Sequence, residues 1–181
     1  ALSENFSVGG HLKKAYQYLG NNVVPVSDSS NTVENNVANA IAVDFGTIYI
    51  TDWHGFTFGM SVRNFSEEVE YGYDSFQLPL TFRIGGSIDV LSFLPSLSEK
   101  QSLRMALEAL HPRSYPERLN LGLEYSFMDL GNVRLGYLFN YDERNLTYGA
   151  GIKLGPLKID YALTPFGVFD SVSRISVGIA R

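Results

Sequence analysis

"RLNLGLEYSF", residues 118–127, carries two interleaved compositions. Leu119, Leu121, Leu123, Tyr125 and Phe127 are large and apolar, while Arg118, Asn120, Gly122, Glu124 and Ser126 between them are charged, polar or small. Successive side chains of an extended chain point to opposite sides, so strict alternation predicts a β-strand with two unlike faces. The apolar face can cover a protein core with water opposite. Alternatively, it can face lipid while the polar face lines a lumen.

Outward from this stretch the same alternation recurs in about ten segments, with almost no amphipathic helical pattern between them. Leu12, Tyr16 and Tyr18 belong to one apolar row; Ile41, Val43, Phe45 and Tyr49 to the next; then Phe56, Phe58, Met60 and Val62. A row from Phe76 to Val90 follows, and after the opening stretch come rows from Val133 to Tyr141, Leu146 to Leu154, Leu157 to Leu163 and Ile175 to Ile179. SLRMALEAL, residues 102–110, fits a short helix as well, but Leu103, Met105 and Leu107 alternate with Arg104, Ala106 and Glu108, and it is read as a strand.

Most of these segments reach the roughly 9 to 11 residues that a tilted strand needs to cross a bilayer, longer than the about 5 or 6 common in sandwiches. Connections alternate between tight (51–55, 128–132, 155–156) and long (18–37, 65–76, 111–118, 164–171), as in barrels with short turns at one rim and long loops at the other. Residues 142–145 and 91–101 are exceptions to that alternation. Aromatic residues collect near the predicted strand ends. Tyr16, Tyr18, Tyr141 and Tyr148 fall at one set of ends and Tyr49, Trp53, Phe56 and Tyr125 at the other, the pattern of two girdles at headgroup level.

Composition narrows the function classes. A chain of 181 residues, 45% hydrophobic, suits one domain, residues 1–181, yet its apolar runs are far shorter than the about 20 residues of a spanning helix. A net charge of −5, with no Lys/Arg-dense stripe, argues against a nucleic-acid partner. The absence of Cys removes disulfides, zinc ribbons and thiol nucleophiles. The opening residues show no basic and apolar leader.

The chemistry-bearing residues point away from catalysis and from any cofactor. His11, His54 and His111 are scattered, and no Gly-x-Ser-x-Gly elbow or nucleophile with a base is present. Glu67, Glu68, Glu70 and Asp74 form an acidic loop that reads as solvated, with divalent-cation binding as the sharper alternative. The informative polar residues are Asp44, Arg63, Arg83, Arg118, Glu124, Arg134, Asp160 and Arg174, all on predicted lumen-facing rows. Their mixed sign suits cross-strand pairs that brace a wall, or a polar pore lining. In the last hairpin, opposing Leu163 to Ser171 places Asp160 opposite Arg174 and predicts an ion pair between them.

Two long stretches resemble the PorV/PorQ family. They are GFTFGMSVRNFSEEVEYGYDSFQLPLTFRIGGSIDVL at 55–91 and the run from HPRSYPERLNLGLEYSF at 111 to the end, with GMSVRNF at 59–65, QLPLTFR at 77–83 and FGVF at 166–169 as the most telling motifs. The resemblance implies a non-enzymatic bacterial outer-membrane protein, similar to FadL-type transporters, from Bacteroidetes-like organisms. It implies an antiparallel up-and-down transmembrane β-barrel of about fourteen strands, of which this chain carries about ten as a C-terminal portion, without the N-terminal plug and first strands. It further implies a type IX secretion component handling secreted cargo or touching other secretion subunits, or, as the alternative, passage of a hydrophobic solute. Membrane lipid is a partner under both. A soluble β-sandwich is the weaker alternative, since strand length, loop alternation and aromatic placement favour a barrel without the resemblance.

Overall fold

The computed structural model describes residues 3–27, 30–71, 74–94, 96 and 99–179. Its strands are β1 (Phe6–Ser27), β2 (Ser30–Ile50), β3 (Thr57–Ser66), β4 (Val69–Tyr71), β5 (Asp74–Phe76), β6 (Thr81–Asp89) and β7 (Gln101–Pro112). They continue as β8 (Arg118–Phe127), β9 (Gly131–Phe139), β10 (Leu146–Leu154), β11 (Leu157–Phe166) and β12 (Phe169–Ile179). Ten of them form one sheet in the order β1-β2-β3-β6-β7-β8-β9-β10-β11-β12, and every neighbour is antiparallel. This is an all-β, up-and-down meander. β4 and β5 form a separate small hairpin between β3 and β6.

The sheet is open, with β1 and β12 as its edges. Register puts the two compositions of each strand on opposite faces. Phe45 pairs with Val62, Met60 with Ile84, Met105 with Leu123, Leu123 with Leu135, and Leu135 with Tyr148, so the apolar rows join into one continuous face. Ser61 pairs with Arg83, Arg104 with Glu124 and Glu124 with Arg134 on the other.

Among the described residues neither face is covered by a second layer. The accessible surface is 13,210 Å², against about 8,700 Å² for a compact soluble chain of this mass. Among the described residues the buried apolar side chains are Ala38, Ala42, Val69 and Leu110, while Leu12, Ile41, Leu135, Ile175 and Val177 each expose more than half of their surface. A sandwich would bury this apolar face under a second sheet, and no second sheet lies on it among the described residues.

Local chemistry sets the turns. Gly155, at φ +59°, precedes Pro156 between the paired Leu154 and Leu157, which is the Gly-first pattern of a type II′ hairpin. Met128 and Asp129, both at positive φ, turn β8 into β9. At the same rim, Asp89 accepts hydrogen bonds from the Leu91 and Leu103 amides, each 3.1 Å, and so caps a 3-10 turn, Val90–Phe93.

Several expectations are corrected. Residues 18–37, read as a loop, are strand on both sides of a hairpin tip. Val23 pairs with Val33 and Val24 with Thr32, so β1 and β2 run well past the end of β3. Residues 65–76 hold the β4–β5 hairpin, with Val69 buried and β4 packed on β2. The expected strand from Phe76 to Val90 is interrupted at 77–80, because Pro79 has no amide to donate to a ladder. The ambiguous segment at 102–110 lies within strand β7, bonded on both sides.

The last hairpin is also tighter than expected. β11 and β12 continue to a turn at Gly167 and Val168, which sets Leu163 opposite Ser173 instead of Ser171. Asp160 consequently faces Ser176, and Arg174 faces Ala162, so the expected Asp160–Arg174 pair is absent although both residues lie on the charged face.

Candidate functional site

Asp44, Arg63, Arg83, Arg118, Glu124, Arg134, Asp160 and Arg174 all fall on the charged face by register. They divide into clusters, each built around a local feature of the sheet.

The first cluster pins a β-bulge. Asp44 on β2 faces two residues of β3, Arg63 and Asn64, because Val43 pairs with Phe65 and Phe45 with Val62. Asn64 takes φ +58°, and its amide, turned out of the ladder, donates to Asp44 Oδ1 at 2.8 Å. Lys13 Nζ reaches Asp44 at 2.7 Å and Asn64 Oδ1 at 2.5 Å, which closes the triangle. Lys13 and Asn64 were not singled out from the sequence, since a bulge leaves no mark in a period-two pattern.

The second cluster is weaker. Arg83 on β6 approaches Glu108 on β7 at 3.6 Å, and Asn120 on β8 donates to the same carboxylate at 3.1 Å. Beside it lies a shallow trough of about 670 Å³, lined by Gly9, Gly46, Gly59, Ser61, Gly85 and Ala106 among others. Small side chains on five adjacent strands leave this space above the backbone.

The third cluster spans three strands through a gap. Arg134 on β9 donates from Nε to Glu124 on β8, and from Nη1 to Asp160 on β11 at 2.8 Å. β10 lies between β9 and β11, and the reach across it is possible because β10 presents Gly149 and Gly151 there. A Cβ on Gly149 would stand 3.3 Å from Arg134 Cβ, and one on Gly151 would stand 2.6 Å from Asp160 Oδ1. Lys158 adds a second cation to Asp160 at 3.4 Å. Gly149 and Gly151 are the passage for this guanidinium.

Arg118, like Arg63 and Arg174, forms no ion pair among the described residues, and it differs from them by lying against aromatic rings. Its guanidinium carbon lies 5.1 Å from the Tyr115 ring centre and 4.5 Å from that of Tyr141. Arg144 lies 4.8 Å from the same Tyr141 ring and 5.6 Å from Phe166. Tyr141, expected in a lipid-facing girdle, instead sits between two arginines at the long-loop rim. Tyr115 and Arg144 lie in two different connections and Phe166 ends β11, so no single strand's pattern joins them.

The remaining girdle residues follow the apolar face. Tyr16, Tyr18, Tyr49, Tyr125 and Tyr148 are exposed on it, by 37% to 65%. Phe56 lies over Gly86 of that face, and Trp53 stands edge-on to Phe56 and Phe93 at the short-turn rim. His54 stacks on Phe93 at 3.8 Å and bonds Ser92 Oγ through Nδ1 at 3.0 Å, so it organises this turn.

In the acidic loop, Glu68 accepts from Ser75 and from Gln77, while the side chains of Glu70 and Asp74 lie outside the described residues. Among the described residues no three His, Asp or Glu side chains gather as metal ligands. What the arrangement offers is a braced polar wall backed by an apolar one. No family model matches the chain, and no curated protein matches it.

Proposed function

We propose that the chain is the lipid-facing wall of a bacterial outer-membrane β-barrel of the PorV/PorQ type, non-enzymatic, and closed by further strands at the β1 and β12 edges. The observation that supports this reading is the continuous apolar face of a ten-stranded meander, opposite a face whose charges bond one another. Lipid satisfies the first face and a water-filled lumen the second, without moving any strand. The membrane test is fractionation. The protein should sediment with outer membranes and need detergent for release, and recovery as a detergent-free monodisperse monomer would overturn the reading.

For the role of the barrel we propose handling of secreted protein cargo at the long-loop rim. The β1–β2 hairpin supports this, because residues 30–41 continue roughly 40 Å beyond the end of β3, at about 3.3 Å per residue. β1, the edge strand of this hairpin, offers main-chain hydrogen bonds to an added strand. The second reading, passage of a hydrophobic solute, rests on the trough of small residues on the charged face. Replacing residues 19–36 by a two-residue turn should abolish attachment of secreted proteins and leave fatty-acid uptake unchanged. Retained attachment with lost uptake would reverse the order of the two readings.

A further inference from the structure

We propose that the stack Tyr115–Arg118–Tyr141–Arg144–Phe166 is an oxyanion-binding site for a carboxylate or phosphate group of a water-soluble ligand. Aromatic rings and guanidiniums alternate through it, and all four centre-to-ring distances fall within the range of about 6 Å where cation–π attraction acts. Rings hold a guanidinium by its flat face and leave the N–H groups at its edge free. That edge is the part that binds a carboxylate or phosphate through paired hydrogen bonds.

Two further observations separate this stack from an ordinary brace. Arg118 Nε is buried and lacks a hydrogen-bond partner, as does Arg83 Nε, but the Arg83 guanidinium is paired with Glu108 whereas that of Arg118 meets rings in place of a carboxylate. Nearby carboxylates are directed elsewhere. Glu117 pairs with His111 at 3.1 Å, and Glu143 packs its carboxylate on Gly167. Neither Asp142 nor Asp170 forms an ion pair with Arg118 or Arg144 among the described residues. Two cations thus lie against one Tyr141 ring, and neither is paired with a carboxylate among the described residues.

The position selects the source of the ligand. Arg118 shares the face of Glu124 and Arg134, opposite the apolar rows, so an anion arrives from water on that side. The inference does not rest on the barrel or on its cargo, because it concerns one rim and one face.

The test is titration of the protein in neutral detergent micelles, observed through arginine Nε–Hε NMR signals, with inorganic phosphate, with glutarate, and separately with phosphatidylglycerol added to the micelles. The expected result is saturable displacement of the Arg118 and Arg144 signals by phosphate or glutarate, with those of Arg63, Arg104 and Arg174 moving at least tenfold less steeply. Arg118→Gln should weaken binding at Arg144 at least tenfold, whereas Arg104→Gln should leave it unchanged. Displacement of all five signals alike, or none at saturating phosphate and glutarate, would overturn the proposal and leave the stack a brace. Displacement by phosphatidylglycerol alone would overturn it in favour of a lipid headgroup. The wild-type titration decides the matter even where Arg118→Gln does not fold.

Discussion

The two faces of the sheet solve the same problem in opposite ways. On the charged face, Arg134 bonds carboxylates on β8 and β11, and Lys13 bridges Asp44 and the β3 bulge. On the apolar face, Leu12, Leu135, Ile175 and Val177 stand more than half exposed, covered only in part by their neighbours on the same sheet. A polar group can satisfy a polar neighbour on the same sheet, because hydrogen bonds act side by side across about 5 Å. An apolar group gains only by leaving water, and side-by-side neighbours cover little of it. One face is therefore largely self-sufficient, and the other requires a medium.

That contrast breaks most readily through the apolar face. Phe45→Arg or Met60→Arg, at mid-strand, should destabilise the protein folded in lipid vesicles by about 2 to 4 kcal/mol, measured by reversible urea unfolding. A penalty as small as that of a rim position would mean that this face is not held at bilayer depth.

On the charged face the expected effect is smaller. Arg134→Leu removes two ion pairs that remain partly exposed, so solvent screening limits the loss to about 1 to 2 kcal/mol in the same measurement. Glu124→Gln combined with Arg134→Leu should cost less than the sum of the two changes, because both remove one shared contact. Strict additivity would show that the Glu124–Arg134 bond contributes nothing.

Smaller still is the passage through β10. Gly151→Ala places a methyl group against Asp160 and Asn132, whose side chains must rotate away, at a cost of about 1 kcal/mol. In an Arg134→Leu background this cost should shrink, since Asp160 is then free to move; an undiminished cost would place the strain in the backbone. The smallest effect belongs to Tyr49→Arg and Phe56→Arg, at about 0 to 1 kcal/mol, because both lie near the short-turn rim.

Alternation made much of the design legible. It assigned all eight charged site residues to one face, and it found the strand at 102–110 despite a pattern that also suits a helix. Its failures share a cause. The β1–β2 extension is rich in Asn and Ser, residues that normally mark loops, and becomes strand because each half supplies the other with ladder partners. Tyr141 was placed by its sequence position near a strand end, but Asn140 adopts φ +61° and the ring sits against Arg118.

What the sequence determined by itself is the division of each strand into two faces. That property has a period of two residues and depends on no partner. What only the tertiary structure decided is which residues meet across strands. The turn at Gly167 and Val168 moved Asp160 from Arg174 to Ser176, the bulge at Asn64 brought in Lys13, and two glycines on β10 let Arg134 reach past a whole strand. Register, bulges and vacant positions are properties of pairs of strands, and a single strand's pattern is unchanged when its neighbour slides by two residues.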